Sequence, residues 1–225
     1  MFLYHGTSEK HLQSILKHGI IPRSISKKSN WKHTIESNAK LVYLTECYAG
    51  YFAICSCKKN EKLLIVEIDI SLLDEIKFRP DEDAIAQILV QRSGTKESLI
   101  SLTKEIRKNY KYYSHFWQES LRVLGNCSYE GIIPVSAITR ISKIDLSNNR
   151  EMFISLSDPT ITIMNHRFCS GKYKSMTRWL MGEKITVEEF LGHGFNEEFP
   201  KVEEYKQNIQ TKILSNQSIE IMYTI

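Results

Sequence analysis

The feature that most constrains the fold is a short apolar strand that ends on a histidine, a glycine and two hydroxyls, Leu3–Ser8. A helical pattern follows at once, with Ser8 as its N-cap and Gly19 as its end. A strand therefore runs through a glycine-bearing turn into a short helix. Glycine lets a backbone approach a ligand closely, and histidine offers a directional hydrogen bond, so His5 and Gly6 mark this turn as a candidate binding site.

Composition excludes several classes of protein. The chain has 225 residues, of which 42% are hydrophobic and 25% charged, as in a globular protein with a sizeable core. Apolar runs are too short to span a bilayer and the N-terminus lacks a signal-peptide pattern, so we expect a cytoplasmic protein without a membrane partner. The five cysteines lack zinc-type spacing and are expected to be reduced thiols. A net charge of +4 permits a nucleic-acid partner without requiring one.

Two further strands are predicted in the first half of the chain. Leu41–Thr45 reads as a strand that leads into a helix over residues 47–55, and residues 62–70 form an apolar, β-branched strand. The acids at 81–83 follow Pro80, where they suit the positive end of a helix dipole. We therefore expect no metal there. The polar segment 23–34 predicts a long loop, at whose start Arg23 could reach a phosphate.

Aromatic and basic residues alternate between two amphipathic helical segments, over residues 107–117. Aromatic rings stack on unpaired bases and lysines follow phosphates, so this pattern fits single-stranded nucleic acid. An amphipathic segment with its tyrosines half in the core explains the pattern equally well. The candidate substrate-binding residues are Lys108, Tyr110, Lys111, Tyr112, Tyr113 and Trp117.

A last pair of strands is predicted from Tyr129 to Pro134 and over residues 138–144, with Glu130 near the start of the first. The polar run at 147–150 predicts a boundary. We expect a domain of residues 1–146 and a C-terminal extension, 147–225, that packs on it and binds the acceptor or a partner.

In their order and spacing, these motifs resemble the ADP-ribosyltransferase superfamily in its His-Tyr-Glu branch, and its nucleic-acid-targeting bacterial toxins in particular. The resemblance covers residues 1–146. It implies an α+β fold of two packed, mainly antiparallel sheets with flanking helices, and a cleft that binds NAD as a substrate. His5, Gly6 and Thr7 would hold the nicotinamide riboside, and Tyr43 would pack against the nicotinamide.

The resemblance also implies further roles in this cleft. Tyr48 or Tyr51 would close the other side of the nicotinamide ring, and aromatic faces suit a flat cation. Glu130 would orient the ribose hydroxyls and stabilise the oxocarbenium-like centre that forms as nicotinamide leaves. The expected catalytic residues are thus His5, Tyr43 and Glu130. Ser128 stands where arginine-modifying relatives have a second glutamate, which disfavours transfer to arginine.

The predicted function is mono-ADP-ribosyl transfer from NAD to a nucleic acid, with RNA preferred over DNA, by a toxin or defence protein that an antitoxin would restrain. One alternative is a protein acceptor. Another is NAD-dependent RNA 2′-phosphotransfer, which shares the fold but relies on several arginines, whereas only Arg23 lies near the first motif in sequence. The third is an inactive NAD- or RNA-binding module, against which intact His5, Tyr43 and Glu130 argue.

Overall fold

The structure is a computed structural model that describes residues 1–23, 37–82, 84–86, 95–109, 112, 114–146, 148–159, 166–192, 200–215 and 217–223. Its strands are β1 (Phe2–Ser8), β2 (Leu41–Thr45), β3 (Leu63–Asp69), β4 (Phe78–Pro80), β5 (Asn126–Glu130), β6 (Ile138–Asp145) and β7 (Ser218–Tyr223).

Helices occupy much of the rest of the described chain. They are α1 (Leu12–His18), α2 (Ala49–Ser56), α3 (Lys96–Lys108), α4 (Trp117–Leu124), α5 (Arg150–Ser157), α6 (His166–Leu180), α7 (Val187–Leu191) and α8 (Val202–Asn208), which continues into a π-helix at Ile209–Leu214. Short 3-10 turns lie at Glu9–His11, Ile70–Leu72, Glu75–Lys77, Ser114–Phe116 and Val135–Ala137.

All described strands join one antiparallel sheet of seven, in the order β4-β5-β2-β1-β3-β6-β7. The α+β class is confirmed, but the expected pair of packed sheets is not what the described strands form. The reason is that β1 pairs with β2 on one side and with β3 on the other, which makes the two halves continuous. The two contacts are unequal, because β1 and β2 share the single ladder pair Tyr4 and Thr45 whereas β1 and β3 pair along seven positions.

Each face of the sheet carries its own core. Successive residues of a strand point to opposite faces, so the run Leu63–Val66 is buried throughout by serving both. The first core contains Leu63 and Ile65 with side chains of α2, α5 and α6, and the second contains Leu64 and Val66 with side chains of α1 and α4. This burial on both faces explains why β3 was evident from its composition alone.

Several predicted elements are confirmed and others differ. Gly19 ends α1 with a φ of 76°, as predicted. The Ser8 hydroxyl accepts a hydrogen bond from the Lys10 amide, but it caps the 3-10 turn Glu9–His11, and the N-cap of α1 itself is His11. The closing strand was misjudged, because β5 begins at Asn126 and ends at Glu130 instead of running from Tyr129 to Pro134. Polar residues at its start hid it from a hydrophobic pattern. The predicted loop at 23–34 lies almost wholly outside the described residues.

The C-terminal part shares sheet and core with the N-terminal part. Strand β7 pairs with β6 over Arg140–Asp145, and Phe153, Trp179 and Ile209 belong to the first core. In addition, the Thr177 hydroxyl donates to the Cys47 carbonyl at 2.8 Å. Residues after 147 therefore complete the structure that β1–β6 begin.

Within the described ranges, no helix has both the length and the apolar character needed to cross a membrane.

Candidate functional site

Tyr43 and Glu130 lie on the same face of neighbouring strands. In the antiparallel ladder of β2 and β5, Tyr43 is opposite Ser128 and Leu41 is opposite Glu130. Side chains two positions apart share a face, so Tyr43 and Glu130 are diagonal neighbours, roughly 7–8 Å apart. The adjacent edge strand places Arg79 opposite Ser128, on the same face again. The first core does not extend over these residues, and the cluster lies beside it.

The phenol of Tyr43 is fixed by a buried carboxylate. Its hydroxyl donates to Glu82 Oε1 at 2.8 Å and accepts a hydrogen bond from the Asn38 amide at 2.8 Å. Glu82 is fully buried, and its Oε1 also accepts from Arg107 Nε at 3.0 Å. The phenol oxygen is therefore held through both a donated and an accepted hydrogen bond, which fixes the orientation of the Tyr43 ring.

Sequence reasoning missed the role of Glu82. The acid was assigned to a helix N-terminus because it follows Pro80, and residues 84–86 are indeed helical. A carboxylate that is 0% exposed needs charged or hydrogen-bonding partners, and those come from β2 and α3. Neither partner is close to Glu82 in sequence, so only the folded chain reveals the network.

Glu130 ends β5 with a half-exposed carboxylate. Its Oε2 accepts from Arg79 Nη2 at 2.7 Å, and its side chain is 43% exposed whereas that of Arg79 is 16% exposed. Glu130 thus combines a fixed orientation with access to solvent. A carboxylate of this kind can stabilise a nearby positive centre or accept a proton.

His5 reaches from β1 to the backbone of β2. Its Nδ1 lies 2.9 Å from the Tyr43 carbonyl oxygen. A carbonyl only accepts, so Nδ1 carries the proton and Nε2 of the neutral ring is an acceptor. Burial lowers the pKa of His5, an effect that the bond to Tyr43 opposes in part, so the ring is neutral at physiological pH.

Gly6 and Thr7 have structural surroundings. A Cβ on Gly6 would lie 2.0 Å from the Ala49 carbonyl oxygen and 2.7 Å from the Ala53 amide. The glycine is therefore required for the close approach of α2 to β1, whereas the sequence suggested the approach of a ligand. Thr7 is 8% exposed, and its carbonyl accepts from the Cys57 thiol.

Tyr48 lies in the first core, where it is 1% exposed. Its hydroxyl is 2.6 Å from His166 Nδ1, and His166 Nε2 is hydrogen-bonded to Glu46. This chain of contacts joins the β2–α2 turn to α6. A buried and hydrogen-bonded ring is not accessible to nicotinamide, so its position favours another residue as the closing aromatic.

The orientation of α2 bears on that choice. Ala49 and Ala53 contact Gly6, and Tyr51 lies roughly 160–200° around the helix from them, on the opposite face. Phe52 is about 200° around the helix from Gly50, which contacts Phe153 of α5.

Phe52 therefore lies on the flank of α2 away from α5. It is partly buried, with its ring 5.8 Å from that of Tyr51. Sequence reasoning passed over Phe52, although the small residues at 49 and 53 indicated which face of α2 packs on the sheet.

Arg23 is tied to the start of β2. Its Nη2 donates to the Ser37 carbonyl at 2.6 Å, and the next residue, Asn38, donates to the Tyr43 hydroxyl. The guanidinium is therefore connected to the Tyr43 phenol through two hydrogen bonds and the backbone between Ser37 and Asn38. This location keeps Arg23 near the proposed NAD cleft.

The proposed acceptor cluster is only partly described, because Tyr110, Lys111 and Tyr113 lie outside the described residues. Lys108 is exposed in the last turn of α3, and Tyr112 is 61% exposed. Trp117 differs, because it is 7% exposed and stacks on Phe78 with ring centroids 4.5 Å apart. Trp117 belongs to the second core, which leaves Lys108 and Tyr112 as the described surface residues of this cluster.

The fold and this cluster define an α+β protein with an arginine-paired glutamate and a carboxylate-bound tyrosine on neighbouring strands. No protein-family model matches the chain, and no curated protein matches it. Among solved structures, the chain is similar to one named EcPltA, with a TM-score of 0.33 and 16% sequence identity over 64% of this chain and 75% of that chain. A likeness with this TM-score carries no argument about fold family or activity.

Proposed function

We propose that the chain is an ADP-ribosyltransferase-like protein that transfers ADP-ribose from NAD to a nucleic acid and releases nicotinamide. The observation that carries the proposal is the convergence of three residues from distant segments. The Tyr43 ring and the Glu130 carboxylate share one face of β2 and β5, and the imidazole of His5 is bonded to the Tyr43 backbone. These are also the residues that the resemblance in sequence selects.

The surroundings of His5, Tyr43 and Glu130 suit each of them to a separate role in this reaction. The neutral His5 ring offers Nε2 as an acceptor for a ribose hydroxyl, because Nδ1 is used by the Tyr43 carbonyl. The Tyr43 ring, held by Glu82, offers a rigid aromatic face to the nicotinamide cation. Phe52 is the candidate for the opposite wall.

The bond between the nicotinamide nitrogen and the ribose carbon breaks in this reaction, and its electron pair leaves with nicotinamide. Positive charge develops on the ribose, where the Glu130 carboxylate stabilises it. A nucleophilic atom of the acceptor then bonds to the same carbon, and the proton that it loses passes to Glu130 or to water.

The surroundings of Ser128 favour transfer to an acceptor other than arginine. It is fully buried, and its hydroxyl lies 3.3 Å from the carbonyls of both Arg79 and Pro80. Strand β4 therefore covers the position where a second glutamate would stand. The exposed Lys108 and Tyr112, at the end of α3, favour a nucleic acid because one offers a phosphate contact and the other a stacking surface.

A cationic surface on α6 is a weaker candidate for the acceptor. Lys174 is paired with Glu46 at 3.2 Å, and Arg178 is paired with both Glu183 and Glu189. These carboxylates offset the positive charge of the helix. The end of α3 is therefore the preferred acceptor side.

RNA 2′-phosphotransfer is the second candidate, because the folded chain brings two more arginines close to Tyr43 and Glu130 than the sequence suggested. Arg79 and Arg107 are both there, but each is already paired with a carboxylate. An internally paired guanidinium is a poor ligand for an RNA phosphate, which favours ADP-ribosyl transfer.

The proposal is tested by offering NAD labelled in its adenylate half to RNA, DNA and protein in parallel. We expect label on RNA, more weakly on DNA, together with free nicotinamide. Label on protein alone would show that the acceptor is a protein. Loss of a 2′-phosphate from RNA would show that the chain is the phosphotransferase instead. If purified protein neither binds nor consumes NAD, the proposal fails.

A further inference from the structure

The edge strand beside Glu130 carries an arginine in an unusually restricted setting. Strand β4 has three residues, and its middle residue, Arg79, pairs in register with Ser128, two positions before Glu130. Its Nη1 donates to the carbonyls of Ile76 at 2.5 Å and Phe78 at 2.7 Å. The guanidinium is thus anchored on the backbone of its own strand and of the 3-10 turn that precedes it.

The same guanidinium then contacts Glu130. Its Nη2 donates to Glu130 Oε2 at 2.7 Å, and the arginine side chain is 16% exposed. A planar guanidinium carries donors in fixed directions, so one arginine can bond the β4 backbone and a carboxylate together. A lysine ammonium is a point charge without this fixed spacing.

Only one oxygen of the Glu130 carboxylate is used in this way. Within the part of the chain that the structure describes, Glu130 Oε1 has no hydrogen-bond partner, and the side chain is 43% exposed. The arginine therefore fixes the plane of the carboxylate and leaves the second oxygen toward solvent.

We propose that Arg79 is the positioning residue of Glu130, holding one carboxylate oxygen so that the other faces the ribose of NAD. This inference rests on the proposed function, because it assigns Arg79 a part in the same reaction. Arg79 acts through Glu130 and does not itself touch the reacting atoms. A half-exposed ion pair adds little stability, so the main consequence of its loss is a misplaced carboxylate.

The test compares nicotinamide release from NAD by the full chain and its variants, with single-stranded RNA present. For Arg79→Gln we expect kcat to fall about 100-fold with KM for NAD nearly unchanged, because a misplacement of about 1 Å has that cost. Arg79→Lys keeps the positive charge but lacks the planar guanidinium, so we expect its kcat to lie between those of Arg79→Gln and the wild type. Arg122→Gln is the matched control, since Arg122 forms an exposed ion pair with Glu119 on α4 and should leave kcat unchanged.

A double variant separates positioning from a general effect on the fold. If Arg79 works through Glu130, then Arg79→Gln in a Glu130→Gln background should reduce kcat no further. Wild-type kcat in Arg79→Gln would overturn the inference, as would a change in KM alone or an additive double variant. If Arg79→Gln does not fold, Arg79→Lys decides, because a folded Arg79→Lys with wild-type kcat also overturns it.

Glu130→Gln distinguishes this inference from the proposed function. If the wild-type chain releases no nicotinamide, or if Glu130→Gln releases it at the wild-type rate, the proposed function fails. If Glu130→Gln has a strongly reduced kcat and the Arg79 variants have wild-type kcat, the positioning inference alone fails.

Discussion

His5 Nδ1 and the Tyr43 carbonyl oxygen are 2.9 Å apart, so an imidazole from β1 bonds the backbone of β2. The two strands share only the ladder pair Tyr4 and Thr45. The side chain therefore joins the strands next to the place where their main-chain pairing stops. Its two nitrogens have separate roles in this account, since Nδ1 supports the structure and Nε2 is available to NAD.

Two substitutions at position 5 separate these roles. The amide nitrogen of His5→Asn can stand near the position of Nδ1, so this variant should keep the bond to Tyr43 and most of the free energy of unfolding. It lacks Nε2, and we expect NAD binding to weaken by about 1–3 kcal/mol for the lost hydrogen bond. Calorimetric titration with NAD and urea unfolding measure the two effects. A stable His5→Asn protein that binds NAD normally would assign His5 a purely structural role.

The His5 pKa, lowered by burial, links stability to pH. Between the unfolded value of about 6.5 and the lower folded value, the unfolded chain binds a proton that the folded chain does not. This contribution to stability is thus present above pH 6.5 and is lost as the pH falls toward the folded pKa. We expect the free energy of unfolding of the wild type to fall more steeply than that of His5→Asn over this range. Equal pH dependence of the free energy of unfolding in the two proteins would contradict a contribution from His5. His18→Asn, at an exposed site, serves as the control.

Gly6 should tolerate no side chain, because a Cβ there meets backbone atoms of α2. We expect Gly6→Ala to lower the free energy of unfolding by about 1–3 kcal/mol or more, as overpacking does. Gly171→Ala is the matched control, since the residue is inside α6 and, among the described residues outside its own helical backbone, none has an atom within 4 Å of an added Cβ. Alanine there should be neutral or stabilising by up to about 1 kcal/mol. Urea unfolding measures the free energy of unfolding of both variants, and equal values for Gly6→Ala and Gly171→Ala would contradict the close approach of α2 to β1.

Lys108 and Tyr112 test the acceptor side. Lys108→Ala should lower RNA affinity and reduce the slope of log affinity against log salt by roughly 0.7, as for one phosphate contact to a single strand. Tyr112→Ala should cost about 1–3 kcal/mol if the ring stacks on a base. NAD affinity should be unchanged in both. Lys212→Ala, exposed on the π-helix, is the control, and an equal effect from it would indicate binding through net charge alone.

The strands with continuous apolar patterns could be predicted from the sequence. Leu41–Thr45 was predicted with its observed bounds, and the strand at 62–70 is observed as Leu63–Asp69. Two elements near Glu130 could not be found in this way. Strand β4 has three residues and ends on a proline, and β5 begins with the polar Asn126. Their stability comes from pairing with each other and from the second core, which no local pattern reveals.

The candidate site followed the same division. His5, Tyr43 and Glu130 were selected from the sequence by the order and spacing of their motifs, although the strand that carries Glu130 was predicted with the wrong bounds. Glu82 and Arg79 were not, since their roles depend on partners that are 39 and 51 positions away. The position of Tyr48 in the core depends on the rotation of α2, and helical periodicity near its N-terminus does not define that rotation.

The measurement that tests the central claim most directly is ADP-ribosyl transfer by Glu130→Gln beside the wild type, with labelled NAD and RNA. Glutamine keeps the size of the side chain and can still accept from Arg79, but it lacks the negative charge. We expect NAD affinity to stay within a few-fold of wild type while transfer falls by about 10²–10³-fold, the loss typical when a charge-stabilising group is removed. Near-normal transfer by a folded Glu130→Gln protein would contradict the account.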